Sequence, residues 1–412
     1  MKWFSAPLIA LLFLGFSSGL PLALTASTLA IRLTESHIDK AGIGLFAAAT
    51  MPYAFKFLWA PLVDNLPFPL LSRMLGRRRG WLLGAQCCLA GAICLLALAD
   101  PRLSPWLTAC AALLVAFCSA TQDVVIDAFR VEMLPVEQQG MAAATYVLGY
   151  RIGMMASMAG AIYIDVALGG WMLTYFVMAA FIGIGMVAGI LAGEPRYGMA
   201  NVAPVHEHFF RRAVIAPFRE FTTRPEWLAI LAFTALFKLP DAFIGLMSVA
   251  FYLEMGFDKI DLANVKFFWL GATIAGGFLG GWLIPRMGLL RLLWTAAITQ
   301  ACANLLFIVL IYTGPDTPSL AVVVTADNLV SGLSSSVFVA YLSGLCNTRF
   351  TATQYALLSS LASVARSFLS TPAGWVAQSL GWEKFFLFSC LLSLPGLTLL
   401  VYLRRKERQV TA

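Results

Sequence analysis

The sequence predicts an all-α integral membrane protein of twelve transmembrane helices arranged in two six-helix halves. Three observations carry that expectation. Of 412 residues, 60% are hydrophobic and 12% charged, with a mean hydropathy of +0.82; a soluble chain carries about twice that charge. Twelve apolar runs each approach the roughly 20 residues that cross a bilayer as a helix. The second six runs also repeat markers found in the first six.

The runs are 7–31, 41–63, 81–99, 106–129, 140–164, 172–192, 227–252, 265–284, 292–312, 320–345, 354–376 and 385–403, numbered below as spans 1 to 12. The first follows Lys2 and ends near "ALTAS", as a secretory leader would. At about 25 residues it is long enough to span, and it reads as an uncleaved first helix. With both termini cytoplasmic, the inner segments hold 18 of the 28 Lys and Arg residues and the outer loops 5. That bias sets the orientation. The +7 net charge is scattered through loops, so it points to no nucleic-acid partner.

The longest connection, 193–226, separates an N-terminal half (1–192) from a C-terminal half (227–412) that ends in a short basic tail. Within it, Phe210, Val214, Pro217, Phe218 and Phe221 fall at helical spacing, with Arg211, Arg212 and Arg219 between them. This predicts a short amphipathic helix on the inner membrane surface, or a plain linker. The halves echo each other. Gln139 precedes Arg151 by twelve residues at the start of span 5, and Gln354 precedes Arg366 by twelve at the start of span 11. Gly170-Trp171 and Gly381-Trp382 then follow. Two six-span halves related by an axis along the membrane normal are the architecture of the major facilitator superfamily.

Charges are the informative departures from apolarity. A charge at the bilayer centre costs a few kcal/mol or more unless it faces a partner or a cavity. Spans 1, 3, 6, 9 and 12 have none in their middles; spans 2, 4, 5, 7, 10 and 11 place Lys56, Asp123, Asp127, Arg151, Lys238, Asp241, Asp327 and Arg366 inside. Asp123 and Asp127 are four residues apart and share one helix face. Helix rise places Asp123 roughly 10 Å and Arg151 roughly 16 Å from the cytoplasmic boundary, which allows an Asp123–Arg151 pair between spans 4 and 5. Such a pair either locks the two spans together or exchanges protons. Burial and a nearby cation act on a carboxyl in opposite directions, so separating the pair would load a proton. Asp123 and Asp127 are therefore the proton-coupling candidates.

In span 7, "LFKLPDAF" places Lys238 and Asp241 on one face beside Pro240, which breaks or kinks the helix. Arg366 lacks a partner nearby in sequence and is a candidate for an anionic group of a substrate. Asp327 and Asn328 are alternatives as its partner. Tyr53, Phe55, Tyr146 and Tyr150 lie beside the charges, where aromatic faces can cover sugar rings or simply pack. Substrate-binding candidates are thus Lys56, Tyr146, Tyr150, Arg151, Lys238, Asp241, Asp327, Asn328 and Arg366. The eight cysteines form no CxxC or Cys/His spacing, and no metal or other cofactor is expected. Nor is there a nucleophile–base pair or a phosphate loop, so an enzyme is a remote alternative, as is a receptor that binds without translocating.

"GFSSGLPLALTASTL", "FKFLWAPLVD", "GRRRGWLL", "FCSATQDVVIDAFR", "VLGYRIGM", "KLPDAF" and "FTATQYALLSSLASVAR" together resemble the AmpG-type muropeptide permeases, over residues 13 to 385. The resemblance implies a Gram-negative inner-membrane importer of N-acetylglucosaminyl-1,6-anhydro-N-acetylmuramic acid and its peptides. It implies proton drive and service in cell-wall recycling and in β-lactamase induction; the chain is expected to act as a monomer in the lipid bilayer. The chain departs from the family at Pro240, where a "KLGD" pattern is common. Eleven residues also separate Asp64 from Gly76, so it stands farther from the arginine run than is usual. Asp64 can still pair with Arg77 or Arg78 as a gating latch. A related permease for a siderophore or another amphiphilic anion is the nearest alternative.

Overall fold

The structure is a computed structural model that describes residues 5–38, 46–135, 138–195, 216–257, 259–347 and 350–411. All regular structure among them is helical. This is what hydrocarbon requires, because an unpaired backbone group there has no water to turn to. Among the described residues, nine helices are long and apolar enough to cross a membrane: Ala6–Glu35, Arg77–Leu98, Pro105–Met133, Gln139–Ala167, Trp171–Ala192, Trp227–Ser248, Leu289–Thr313, Thr317–Gly344 and Trp382–Lys406. Span 8 is a single helix, Lys259–Met287.

The remaining two predicted spans, and span 7, are interrupted by proline. Span 2 continues as Met51–Phe55, a 3₁₀ turn at Lys56–Leu58, and Ala60–Asn65, with Pro52 and Pro61 each near the start of a segment. Span 11 consists of Thr351–Ser370 and Ala373–Leu380, separated at Pro372. Span 7 breaks between Trp227–Leu236 and Leu239–Glu254, with Pro240 in the first turn of the second piece and Lys238 at its N-cap. Of the expected amphipathic stretch, Ala216–Thr222 is helical and Phe221 is buried. Phe210, Arg211, Arg212 and Val214 lie outside the described residues.

The chain divides into two compact units. One comprises Met1–Phe218 with Leu345–Ser360, the other Arg219–Gly344 with Leu361–Ala412. In the first unit, spans 1 and 5 cross with their backbones in contact. A Cβ on Gly15 or Gly19 would lie 2.3 Å from the Tyr146 carbonyl oxygen or 2.0 Å from that of Tyr150. One on Gly149 or Gly153 would lie 1.9 Å from Leu12 O or 2.1 Å from Phe16 O. Each helix thus presents a GxxxG face, the small-residue packing that membrane helices use where no hydrophobic drive separates them from lipid. Both also contain a π-helical segment, Leu24–Thr28 and Ala156–Gly160, and Thr28 Oγ1 donates to Ser157 O at 2.6 Å between them. In the second unit, spans 8 and 10 make the comparable crossing, where a Cβ on Gly276 would come within 1.8 Å of Leu329 O. Its core is aromatic: the Phe251 and Phe386 rings meet edge-on at 4.8 Å, and Phe307 stacks on Phe386 at 5.2 Å.

The repeat read from sequence has a structural counterpart in each unit. The Trp171 indole donates to Glu35 at 2.6 Å, and the Trp382 indole to Glu254 at 2.7 Å. Each tryptophan opens the last span of its half and grips the end of the first. Gln139 and Gln354 also act alike, each bracing the loop before its own helix. Gln139 Nε2 donates to Leu134 O at 2.8 Å, and Gln354 Oε1 accepts from Asn347 N at 2.7 Å.

Gly149→Ala should destabilise the purified protein by about 1–3 kcal/mol, the usual range for overpacking. Gly91→Ala, at an exposed helical position with nothing within 4 Å of the new methyl, should be neutral or slightly stabilising. Thermal unfolding in detergent compares the two.

Candidate transport site

Span 4, Pro105–Met133, carries four of the buried charges of the first unit: Asp123, Asp127, Arg130 and Glu132. Asp127 sits between two cations. Its Oδ2 is 3.3 Å from Lys56 Nζ and its Oδ1 is 3.6 Å from Arg130 Nη2. Lys56 reaches Asp127 from the 3₁₀ turn that Pro61 follows, so the broken geometry of span 2 puts an ammonium where a continuous apolar helix would not. Lys56, Asp123 and Asp127 are 8%, 8% and 5% exposed, and Arg130 is fully buried. Removing one partner from such a buried pair typically costs about 3–5 kcal/mol.

Arg130 also lies against two aromatic faces, 5.5 Å from the Tyr146 ring and 5.0 Å from that of Tyr355. The Tyr146 and Tyr150 rings are 6.2 Å apart. Arg151, the next residue along, is half-buried, and Phe55 is largely exposed.

Asp123 does not take the partner expected from the spacing of spans 4 and 5. Among the described residues it accepts a short hydrogen bond from the Ser18 hydroxyl and is not paired with Arg151. Ser18 Oγ also lies 2.9 Å from Tyr146 Oη. The cause is the glycine crossing. Because span 1 approaches span 5 so closely, its serine face reaches Asp123 of span 4 and Tyr146 of span 5. Ser17 does the same one residue earlier, donating to Gln122 Oε1 at 3.0 Å.

At the end of span 4 stands a second charged cluster. Arg78 is 1% exposed and bonds Asp64 Oδ1 at 2.8 Å and both oxygens of Glu132. Arg77 bonds the Asp64 backbone carbonyl rather than its carboxylate. Asp64 also accepts from Ala352 N at 3.2 Å, Thr353 N at 2.8 Å and Thr353 Oγ1 at 2.7 Å. Those amides open the helix Thr351–Ser370, where free N–H groups and the helix dipole favour an anion. Glu194 caps the helix that starts at Arg77 in the same way, accepting from Arg78 N at 2.8 Å and Arg79 N at 3.1 Å. Gly76, at φ 96°, turns the chain into that helix, and a side chain there would strike Glu194.

In the second unit, Lys238 Nζ bonds Asp241 Oδ2 at 2.8 Å, and Ser331 Oγ joins the same oxygen at 3.4 Å. Asp327 and Asn328 do not pair with Arg366. Asp327 turns toward span 9 and accepts from Gln300 Nε2 at 3.1 Å. Asn328 donates to Val324 O at 2.8 Å and accepts from Thr273 Oγ1 at 3.4 Å. Arg366 is exposed and has no ion-pair or hydrogen-bond partner among the described residues.

Sequence reasoning passed over Ser18, Glu132, Glu194, Gln300 and Tyr355. Two signals were available: the serine pair between Gly15 and Gly19, and the i, i+4 amides Gln300 and Asn304 inside an apolar run.

Comparisons with known proteins agree with this architecture. Residues 11–370 match the model of the Major Facilitator Superfamily. The chain is 41% identical over 397 residues to the anhydromuropeptide permease of Escherichia coli K12, covering 96% of this chain and 79% of the relative. It is 36% identical over 401 residues to the putative transporter AmpG 4 of Rickettsia conorii, covering 97% of each. Among solved structures, the E. coli fucose:proton symporter FucP aligns with a TM-score of 0.72 at 13% identity, over 98% of this chain and 99% of that one. The human organic anion transporter MFSD10 aligns at 0.63 and 16% identity, over 96% and 98%. The chain belongs to the Major Facilitator Superfamily and, within it, to the AmpG-type permeases. It is a multi-pass membrane transporter, not an enzyme.

Asp64→Ala should lower stability by about 3–5 kcal/mol, since it leaves Arg78 half-paired and strips an anion from a helix start. Arg77→Ala should cost distinctly less, because its bond is to a backbone carbonyl. Unfolding of both variants in detergent is the check.

Proposed function

We propose that this transporter imports anhydro-muropeptides, N-acetylglucosaminyl-1,6-anhydro-N-acetylmuramic acid and its peptides, from periplasm to cytoplasm, driven by the proton gradient. It works by alternating access in a bacterial inner membrane, with both termini cytoplasmic, as a monomer. Import of this cargo would serve peptidoglycan recycling and, through it, β-lactamase induction. The observation that carries the reading is the 41% identity to a permease named for that cargo over nearly the whole chain.

The chemistry of the first unit suits proton-coupled uptake of an anion. Two carboxylates, Asp123 and Asp127, stand with two cations, Lys56 and Arg130. A proton on either carboxylate leaves one positive charge uncompensated, and an anionic cargo group neutralises it. Proton and cargo thus favour each other's binding, as linked equilibria require. Tyr146 and Tyr150 border this cluster; they and Arg151 are proposed to meet sugar faces and carboxylates of the cargo, and Lys238, Asp241 and Arg366 of the second unit are proposed as further cargo-binding residues. Arg130 is stacked on Tyr355, and Asp64 is bonded to the amides of Ala352 and Thr353. A change at Asp127 is therefore felt at the start of span 11, and Asp64, Arg77 and Arg78 act as a gating latch on that helix.

Proteoliposomes holding wild-type protein should accumulate labelled anhydro-muropeptide under an inward acid gradient. Asp123→Asn should retain downhill exchange and lose accumulation. Accumulation by the variant would remove Asp123 from the coupling role. Failure of active wild-type protein to take up muropeptide would move a siderophore-type anion to the front.

A further inference from the structure

The charge cluster of the first unit leaves one carboxylate of the second without an explanation. Asp327 makes no ion pair among the described residues; its Oδ1 accepts from Gln300 Nε2 at 3.1 Å. The same nitrogen donates its other hydrogen to Asn304 Oδ1 at 3.2 Å. Gln300 is 6% exposed and Asn304 0%, yet among the described residues Gln300 Oε1 and Asn304 Nδ2 have no hydrogen-bond partner. A cavity of ≈ 10 Å³ touches Gln300 and is bounded by Phe237, Pro240 and Ser334. That is room for about one water molecule.

Asp327 is half-buried; an unpaired carboxylate partly withdrawn from water is disfavoured relative to the neutral acid, provided the acid's hydroxyl finds an acceptor. The Gln300 amide provides one. Its nitrogen is already aimed at one oxygen of Asp327, and its own oxygen is used by nothing else. Amide and carboxylic acid are complementary in this sense, since the amide N–H serves the acid carbonyl while the acid O–H serves the amide carbonyl. Among the described residues, the ionisable groups that face Asp327 are Lys238 and Asp241 of span 7 and Tyr252. The first two answer each other at 2.8 Å, so neither supplies an unshared charge. The arrangement also parallels the other half in sequence. Spans 3 and 4 carry Gln86 and Gln122-Asp123, and spans 9 and 10 carry Gln300 and Asp327-Asn328.

We propose that Asp327 is a proton-binding site of the second unit, with Gln300 as the amide that recognises its protonated form. A hydronium ion gives up its proton there and becomes water, an O–H bond forms on the free oxygen of Asp327, and no other covalent bond changes. Both Gln300 amide hydrogens and its oxygen are then bonded, which gives this buried amide of span 9 its purpose.

The test needs no cargo, so it stands or falls separately from the muropeptide reading. Infrared difference spectra are recorded on reconstituted protein as pH is stepped. Wild type should show the carbonyl stretch of a neutral carboxylic acid that disappears in Asp327→Asn. Gln300→Leu should move the frequency of that band and shift its midpoint by about one pH unit, the tenfold change expected from one lost hydrogen bond. Should Asp327→Asn fail to fold, Asp327→Glu should keep the band at a displaced position. A difference spectrum that Asp327 substitution leaves unaltered would overturn the proposal, as would a band indifferent to Gln300→Leu.

Discussion

Asp127 answers two buried cations at once, and much of the first unit is arranged around that. Lys56 can lie inside the bundle only because a carboxylate meets it there. Arg130, on the same helix as Asp127, can be fully buried only because Asp127 and two aromatic rings share its charge. The rule behind this is that hydrocarbon offers no solvent, so a charge is tolerated where another group of the protein takes water's place. The break in span 2, which delivers Lys56, and the tyrosines of spans 5 and 11 follow from that requirement.

The second cluster obeys the same rule with different partners. Arg78 holds two carboxylates, and one of them, Asp64, also caps the helix that opens span 11. Its strength comes from charge-assisted bonds at a helix N-terminus, and those bonds are directional. Such a contact is strong when aligned and is lost once the helix start moves by an ångström or two. That suits a latch better than it suits a permanent brace. The glycine crossing of spans 1 and 5 is a different kind of contact, broad and backbone to backbone.

Much of this was legible in the sequence. Composition, run length and the "GW" and Gln-to-Arg echoes gave twelve spans in two halves, because lipid imposes a length and a polarity on every helix that crosses it. The pair Lys238–Asp241 was readable because it lies within one helix turn, where spacing fixes proximity. Pairs between helices were not. Asp123 was expected against Arg151 and is held by Ser18, since helix rotation and the depth of the glycine crossing decide which residue of a neighbour arrives. Asp327 turns to Gln300 rather than to Arg366 for the same reason. Buried amides and hydroxyls escape a search for charge, although in hydrocarbon they are equally in need of partners.

The central claim is that proton and cargo are bound against each other's charge in one cluster. The most direct measurement follows proton movement with an internal pH indicator while anhydro-muropeptide is added to proteoliposomes of equal pH inside and out, with membrane potential clamped. The account predicts that the lumen acidifies as cargo enters, and that Asp123→Asn/Asp127→Asn protein shows no such proton movement. Cargo entry by the wild-type protein with no change in lumenal pH would contradict it.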